Sequence, residues 1–521
     1  MESEGKTIKP HTSIEVVCRS QEFAKAPSMG QKYKTTKQAG DYTPDSSQEF
    51  AKAPHVGQKY DATTCRPPVL PELGGRYPEH ALLATRGYIS EQCNTTTAYG
   101  VTREGNIIQA SFFPAKPPGM SHISVFCPFA GKSPFGCEPT VVFTHDKLIL
   151  FAVALGPHSG HFSEEGVELF IFQANNKELD RLPKPENYTL SSTNTGLVGS
   201  PNGGYVVAAL NAELASRSYS LSIFSSENKS SGWRTVCVPR KASADGTCQM
   251  AFLPFRQSKV ISLTGAYLGW VDLWRGIIVC DVLSPQPELQ YLEFPDPVPR
   301  NEKFQYECDA GFFRDVCGSP DGSIKFVEME YIEGNDTAKY NFYFKAERWT
   351  ASSSTCRLFE KSTLKDTFGI QHITTAESNK LNREEFMKMS MGNPRLNPYH
   401  DLMYVMARKR RYDTTGRVVS IDIERKTLDG VTETAYSFTE TYGACTFSKY
   451  LQIPGSIVEE DLASDYQFVA SSLQGSEVGG YVRQGASSCT SQPKPHSATS
   501  MYSTLMSAVY NWHTHLGRHN R

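Results

Sequence analysis

One pattern constrains the fold of this chain more than any other: an apolar strand, a polar turn and a second strand that often stops at proline, repeated along the chain. Its clearest copy is Gly265–Pro295, GAYLGWVDLWRGIIVCDVLSPQPELQYLEFP. Tyr267–Leu273 alternates in side-chain direction, Trp274-Arg275-Gly276 makes a turn, and Ile277–Leu283 is almost continuously apolar. Ser284-Pro285-Gln286-Pro287 makes a second turn before Leu289–Phe294. Aromatic and β-branched runs bounded by Gly and Pro predict strands, because such side chains suit a pleated, half-buried surface.

The same pairing recurs as Ile107–Phe113 with Ile123–Pro128, Val167–Phe172 with Leu179–Pro183, and Tyr219–Phe224 with Trp233–Pro239. Weaker copies are Tyr340–Arg348 with Cys356–Phe359, and Val418–Glu424 with Val431–Phe438. The steps are roughly fifty to eighty residues, close to propeller repeats once loops are added. Two turn motifs precede such pairs: Val198-Gly199-Ser200-Pro201-Asn202-Gly203 and Cys317-Gly318-Ser319-Pro320-Asp321-Gly322. Pro presets φ and Gly supplies the positive φ of a tight hairpin. The two patterns together predict four-stranded meanders, for example Leu197–Ser200, Tyr205–Leu210, Tyr219–Phe224 and Trp233–Val238. One such sheet exposes both faces, whereas about six packed around an axis bury them. The expected fold is therefore all-β and β-propeller-like, with about six blades of antiparallel meanders over residues 76–455.

The flanks read differently. Ser20–Tyr33 (SQEFAKAPSMGQKY) returns as Ser47–Tyr60 (SQEFAKAPHVGQKY). Two mostly polar copies cannot bury enough surface to offset ordering entropy, so residues 1–75 are expected to be a disordered leader. Residues 456–521 are expected to be a mostly disordered tail, in which Met501, Leu505, Val509 and Trp512 have the spacing of a short amphipathic helix. Asn382–Met391 predicts a short helix inside a loop.

Composition excludes several classes of function. The net charge of -2 gives no global field toward nucleic acid or membrane. The apolar run Leu148–Leu155 is far short of the roughly 20 residues that span a bilayer. The first residues, MESEGKTIKP, lack the apolar core of a signal peptide, which argues for a cytoplasmic or nuclear protein that is not secreted. Thirteen singly spaced cysteines with no Cys-x-x-Cys pair read as reduced, mostly buried thiols.

Several stretches together look like the signature of the plant "domain of unknown function 1618" family, expanded in grasses. They are Gly269–Leu283, Asn94–Ala98 with Ala115–Pro118, Arg314-Asp315-Val316-Cys317 to Phe326-Val327-Glu328-Met329, and Asp401–Arg408. The resemblance runs from about Tyr77 to Tyr450. It implies a propeller-like domain, similar in strand pattern to F-box-associated and kelch domains, and no established activity. The duplicated leader departs from that family's short N-terminus.

Each candidate site also has a plainer structural reading. Trp270, Asp272 and Trp274 alternate on one predicted strand, so they are expected on one face, lining a pocket or packing between blades. Arg275 follows them in the turn. Arg408-Lys409-Arg410-Arg411 is the one dense basic run, an import signal or partner contact on one reading and a solvated hairpin end on the other. Asp281 and Asp422 sit alike in their strand pairs, which predicts a turn-fixing role. Gly131-Lys132-Ser133 lacks the preceding glycine of a phosphate loop. The His158/His161 and His513/His515/His519 groups lack the converging partners zinc needs. No catalytic residue, cofactor or metal is assigned. The leading expectation is a non-enzymatic scaffold that binds an unidentified protein partner through loops of one propeller face, with Gly156–Gly166, Lys241–Gly246 and Lys361–Pro398 as contact loops. The alternatives are a propeller hydrolase or lyase with an axial carboxylate site, and a nuclear factor using the basic run.

Overall fold

The two Ser-Pro-Asn/Asp-Gly segments close their hairpins with the same bonds. In one, Ser200 N–H donates to Gly204 O at 2.8 Å and Gly203 N–H to Ser200 O at 3.0 Å. In the other, Ser319 N–H donates to Ser323 O at 2.7 Å and Gly322 N–H to Ser319 O at 3.0 Å. Gly203 and Gly322 have φ of 91° and 86°, the left-handed region where a Cβ is disfavoured. Each turn joins the first strand of a sheet to its second, so a local signal fixes the start of a blade.

The computed structural model describes residues 67–451, apart from 71–72, 74–75, 128–134, 156–165, 186–189, 214–217, 239–254, 306–307, 333–338, 350–365, 376–382, 410–415 and 435–440. By contacts the chain divides into Met1–Ala463 and Ser464–Arg521, and every described residue lies in the first. The expectations for the duplicated leader, the C-terminal helix, both histidine groups and Gly131-Lys132-Ser133 fall outside the described residues.

Among the described residues the strands form six sheets, the blades of a propeller with almost no helix. Blades 2 to 5 are four-stranded antiparallel meanders in chain order. Blade 3 is Thr195–Gly199, Tyr205–Glu213, Ser218–Ser225 and Arg234–Val238, the meander expected from the sequence. Blade 4 is Lys259–Ser262, Tyr267–Asp272, Gly276–Asp281 and Gln290–Glu293. In blades 2 to 6 the strand that opens the antiparallel meander is innermost, and these strands neighbour one another around the axis. They are Thr140–His145, Thr195–Gly199, Lys259–Ser262, Arg314–Gly318 and Ser390–Leu396 for blades 2 to 6.

Blade 1 closes the ring. Its innermost strand is Tyr442–Cys445, from the far end of the domain, paired antiparallel with Ala81–Ala84 (Ala81 opposite Cys445, Ala84 opposite Tyr442). Ala81–Ala84 then runs parallel to Met120–Phe126. One blade therefore takes strands from both ends of the domain, which leaves no open edge at the seam.

The core lies between blades. Trp270 and Leu268 of blade 4 pack with Leu197 and Val207 of blade 3, while Val271 and Ile277 pack with Val316 and Phe326 of blade 5. Further clusters join blades 1 and 2, 5 and 6, and 6 and 1, the last through Leu82, Met120, Tyr404 and Val418. Each fully buried large side chain contributes roughly 1.5–3 kcal/mol, and most of that burial is supplied by a neighbouring blade.

Among the described residues the Lys339–Arg348 strand pairs with Asp366–Gly369, and its expected partner Cys356–Phe359 lies outside them. Lys361–Pro398 is not one long loop: it contains that strand, the helix Arg383–Met387 and the innermost strand of blade 6. The helix is shorter than the sequence predicts because Ser390 onward pairs with Leu402–Arg408.

Candidate functional site

Four antiparallel passes return the chain to one side of the ring, so every innermost strand begins on the same face. We call this the start face and the opposite one the far face. Turns between second and third strands lie on the start face, and the Ser-Pro-Asn/Asp-Gly turns lie on the far face.

The Trp270 strand does not present its three residues on one face. It ends at Asp272, where a turn closes with Arg275 N–H donating to Asp272 O at 2.9 Å. Alternation stops there, so Trp270 and Trp274 point to opposite neighbours. The Trp270 indole donates to Asn194 O at 2.7 Å on the blade 3 side, whereas Trp274 donates to Cys308 O at 3.3 Å on the blade 5 side. Asp272 is buried and accepts from Arg256 N–H at 2.9 Å and Trp274 N–H at 3.0 Å, with Arg275 Nη1 at 3.5 Å. Burial pushes its carboxyl up, against the pull of those donors and Arg275. Asp281 and Asp422 fix turns by accepting from Leu283 N–H at 3.0 Å and Arg425 N–H at 2.8 Å.

The basic run begins where the second strand of blade 6 ends on the start face. Lys409 is exposed and pairs with Glu385 at 2.7 Å, and Glu385 also meets Arg417 Nη1 at 3.0 Å. Arg408 is half-buried at the strand end. Arg410 and Arg411 lie outside the described residues. Arg275 and Lys409 thus emerge on the same face, as do the strand ends Ala154, Val167, Val238 and Lys259 that bracket two of the expected contact loops.

Sequence reasoning missed the groups at the axis. Lys259, Asp315 and Arg395 come from the innermost strands of three consecutive blades and converge there. Lys259 Nζ is 2.7 Å from Asp315 Oδ1, Arg395 Nη1 is 3.9 Å from the same oxygen, and Leu396 N–H donates to Asp315 Oδ2 at 2.8 Å. At the far face, His145 Nδ1 lies 3.2 Å from Ser262 Oγ. That contact joins blade 2 to blade 4 across the axis. Burial lowers the His145 pKa, with the neighbouring Asp146 acting against it. No local motif announces residues 56 to 117 positions apart in the chain.

Between blades 4 and 5 a second polar group is sealed off. Arg314 and Glu328 are both fully buried and paired at 2.8 Å. Arg314 also donates to Leu273 O at 3.2 Å and Pro295 O at 3.3 Å, and its guanidinium carbon lies 5.1 Å from the centroid of the Trp274 ring. Glu328 Oε1 accepts from Val298 N–H at 3.1 Å and Asn301 Nδ2 at 2.8 Å. Among the described residues no group of three or more His, Cys, Asp or Glu side chains could hold a metal ion, and no helix is long and apolar enough to cross a membrane.

No curated protein matches this chain. Among solved structures, an alpha-L-arabinanase of Penicillium chrysogenum is similar at 11% identity, over 57% of this chain and 81% of that one, with a TM-score of 0.27. AofleA from Arthrobotrys oligospora is similar at 8% identity, over 70% and 96%, with a TM-score of 0.29. A protein of unknown function from Dyadobacter fermentans gives 12%, 71% and 98%, with a TM-score of 0.23. Overlaps this low carry no functional inference. The family resemblance stands on firmer ground over a narrower span than the sequence reading gave it: residues 270–405, from Trp270 through the Arg314–Glu328 pair to the middle of blade 6, match the family model described as "Protein of unknown function (DUF1618)".

Proposed function

We propose that this propeller is a non-catalytic interaction module that holds a protein partner on its start face. The observation that carries the reading is the shared placement of Arg275, Lys409 and the bracketing strand ends on that face, set by the antiparallel strand order. A rigid ring with variable connections on one side is well suited to partner recognition. The axial carboxylate supports the same reading. Asp315 lies between two cations and accepts a backbone N–H, an arrangement suited to holding strands together rather than to exchanging protons with a substrate.

Proximity labelling with the full chain tests this proposal. A reproducible set of labelled proteins is expected, reduced by Arg275→Glu with Lys409→Glu on the start face and retained with Asn202→Arg on the far face. Recovery of no reproducible partner, or loss only with Asn202→Arg, would overturn it.

A further inference from the structure

A hydrogen bond crosses between blades near one end of the axis, and cations stand toward the other. The His145–Ser262 contact spans the axis near the far face. Lys259 lies three residues back along the Ser262 strand, about 10 Å toward the start face at roughly 3.3 Å per residue. Its side chain is 29% exposed, and that of Arg395 is 12% exposed. Both approach the one carboxylate of Asp315, so this group of three carries one positive charge in excess.

The Arg395 guanidinium is anchored on one side only. Nη1 donates to Pro394 O at 2.8 Å and Gly311 O at 3.3 Å. Among the described residues Nε and Nη2 have no hydrogen-bond partner. That free edge has the parallel donors a carboxylate accepts in a two-point contact, and Lys259 retains donors beyond the one directed at Asp315. The Tyr442 hydroxyl donates to Asn393 O at 3.4 Å and so is not spent on this edge.

We propose that the start-face end of the axis binds a carboxylate group, held by Nε and Nη2 of Arg395 and by Lys259. This rests on the partner-binding reading for its source, an acidic side chain of the bound partner inserted along the axis. A free organic acid presents the same chemistry. Asp315 tunes the site: it holds Lys259 and Arg395 in place and offsets part of their charge, so ligands are retained loosely enough to exchange.

Calorimetric titration of the full chain separates these sources. The probes are glutarate and a capped peptide, acetyl-Gly-Gly-Glu-Gly-Gly-amide. Both are expected to bind competitively, and glutarate binding alone would keep the site while assigning it to free acids. Lys259→Gln keeps a donor to Asp315 without the charge and is expected to weaken binding at least about tenfold. Asp315→Asn removes the competing carboxylate and is expected to tighten it severalfold. Melting curves would show whether each variant is folded. Should Asp315→Asn prove unstable, Arg395→Lys keeps the charge, removes the planar edge and is expected to weaken binding. Absence of binding by both probes, or an affinity indifferent to Lys259→Gln, would overturn the site. Either result would leave the proximity-labelling outcome unaffected, so the two readings fail separately.

Discussion

Arg314 and Glu328 face each other on adjacent strands of blade 5, both fully buried, and together they tie down two segments around them. Arg314 holds the turn after Trp270's strand and the Pro295 carbonyl, while Glu328 holds the connection at Val298 and Asn301. A buried ion pair can cost as much to desolvate as it returns, but removing one partner strands the other charge. Glu328→Gln is therefore expected to destabilise the fold by about 3–5 kcal/mol. Arg314→Met with Glu328→Gln should lose less than the sum of the single changes, with a coupling of about 1–3 kcal/mol in urea unfolding.

His122 predicts the acid limb of stability. It is fully buried in blade 1, stacked on Phe113 at 5.0 Å and edge-on to Tyr88 at 4.8 Å. Neither ring nitrogen has a hydrogen-bond partner among the described residues. Burial pushes its pKa from 6.5 down to about 4. The unfolded chain then binds the proton first as pH falls, so stability present above 6.5 declines toward pH 4, by about 3 kcal/mol in all. His122→Phe is expected to flatten that decline and to raise the midpoint at pH 5, read as the difference between two denaturation series. An equally steep acid limb in His122→Phe would assign the effect elsewhere.

Gly276 opens the third strand of blade 4, directly under the outer strand. A Cβ there would meet the Leu292 carbonyl oxygen and lie 2.9 Å from Tyr291 Oη, which donates to Arg275 O at 2.9 Å. The obstacle is backbone, so neighbouring side chains cannot relieve it by moving. Gly276→Ala is expected to cost about 1–3 kcal/mol and lower the melting temperature.

How much of this was legible in the sequence follows from distance along the chain. The outer strand pairs, the Ser-Pro-Asn/Asp-Gly turns and the roles of Asp281 and Asp422 are settled within a few residues, where alternation and turn chemistry act. The helix Arg383–Met387 is legible in the same way, although its pattern runs past its end. Innermost strands such as Lys259–Ser262 (KVIS) and Tyr442–Cys445 (YGAC) are only four residues each and carry weak patterns. Their identity comes from neighbours in other blades. Two-residue alternation puts Trp270 and Trp274 on one face only if the strand continues, and it ends at Asp272. Lys259, Asp315 and Arg395 meet only after the ring has closed, so no spacing in the sequence could have grouped them.

The closing strand gives a further test. Ending the chain at Thr441 removes the partner of Ala81–Ala84 and uncovers Leu82 and Ala84, both buried. Blade 1 would then expose a hydrogen-bonding edge. The truncated protein is expected to lose its single cooperative melting transition and to self-associate in size-exclusion chromatography. An unchanged melting curve and elution volume would show that the seam adds little.

The Ala81–Cys445 pairing also sets a timetable for synthesis. Its two sides lie more than three hundred and sixty residues apart. At about 5–20 residues per second, the ribosome needs roughly 20–70 s after making the first side to supply the second. Blades 2 to 5 can meanwhile assemble in order against one another. Ala81–Ala84 can pair with Met120–Phe126 early, yet its other edge stays unpaired until Tyr442–Cys445 has been made.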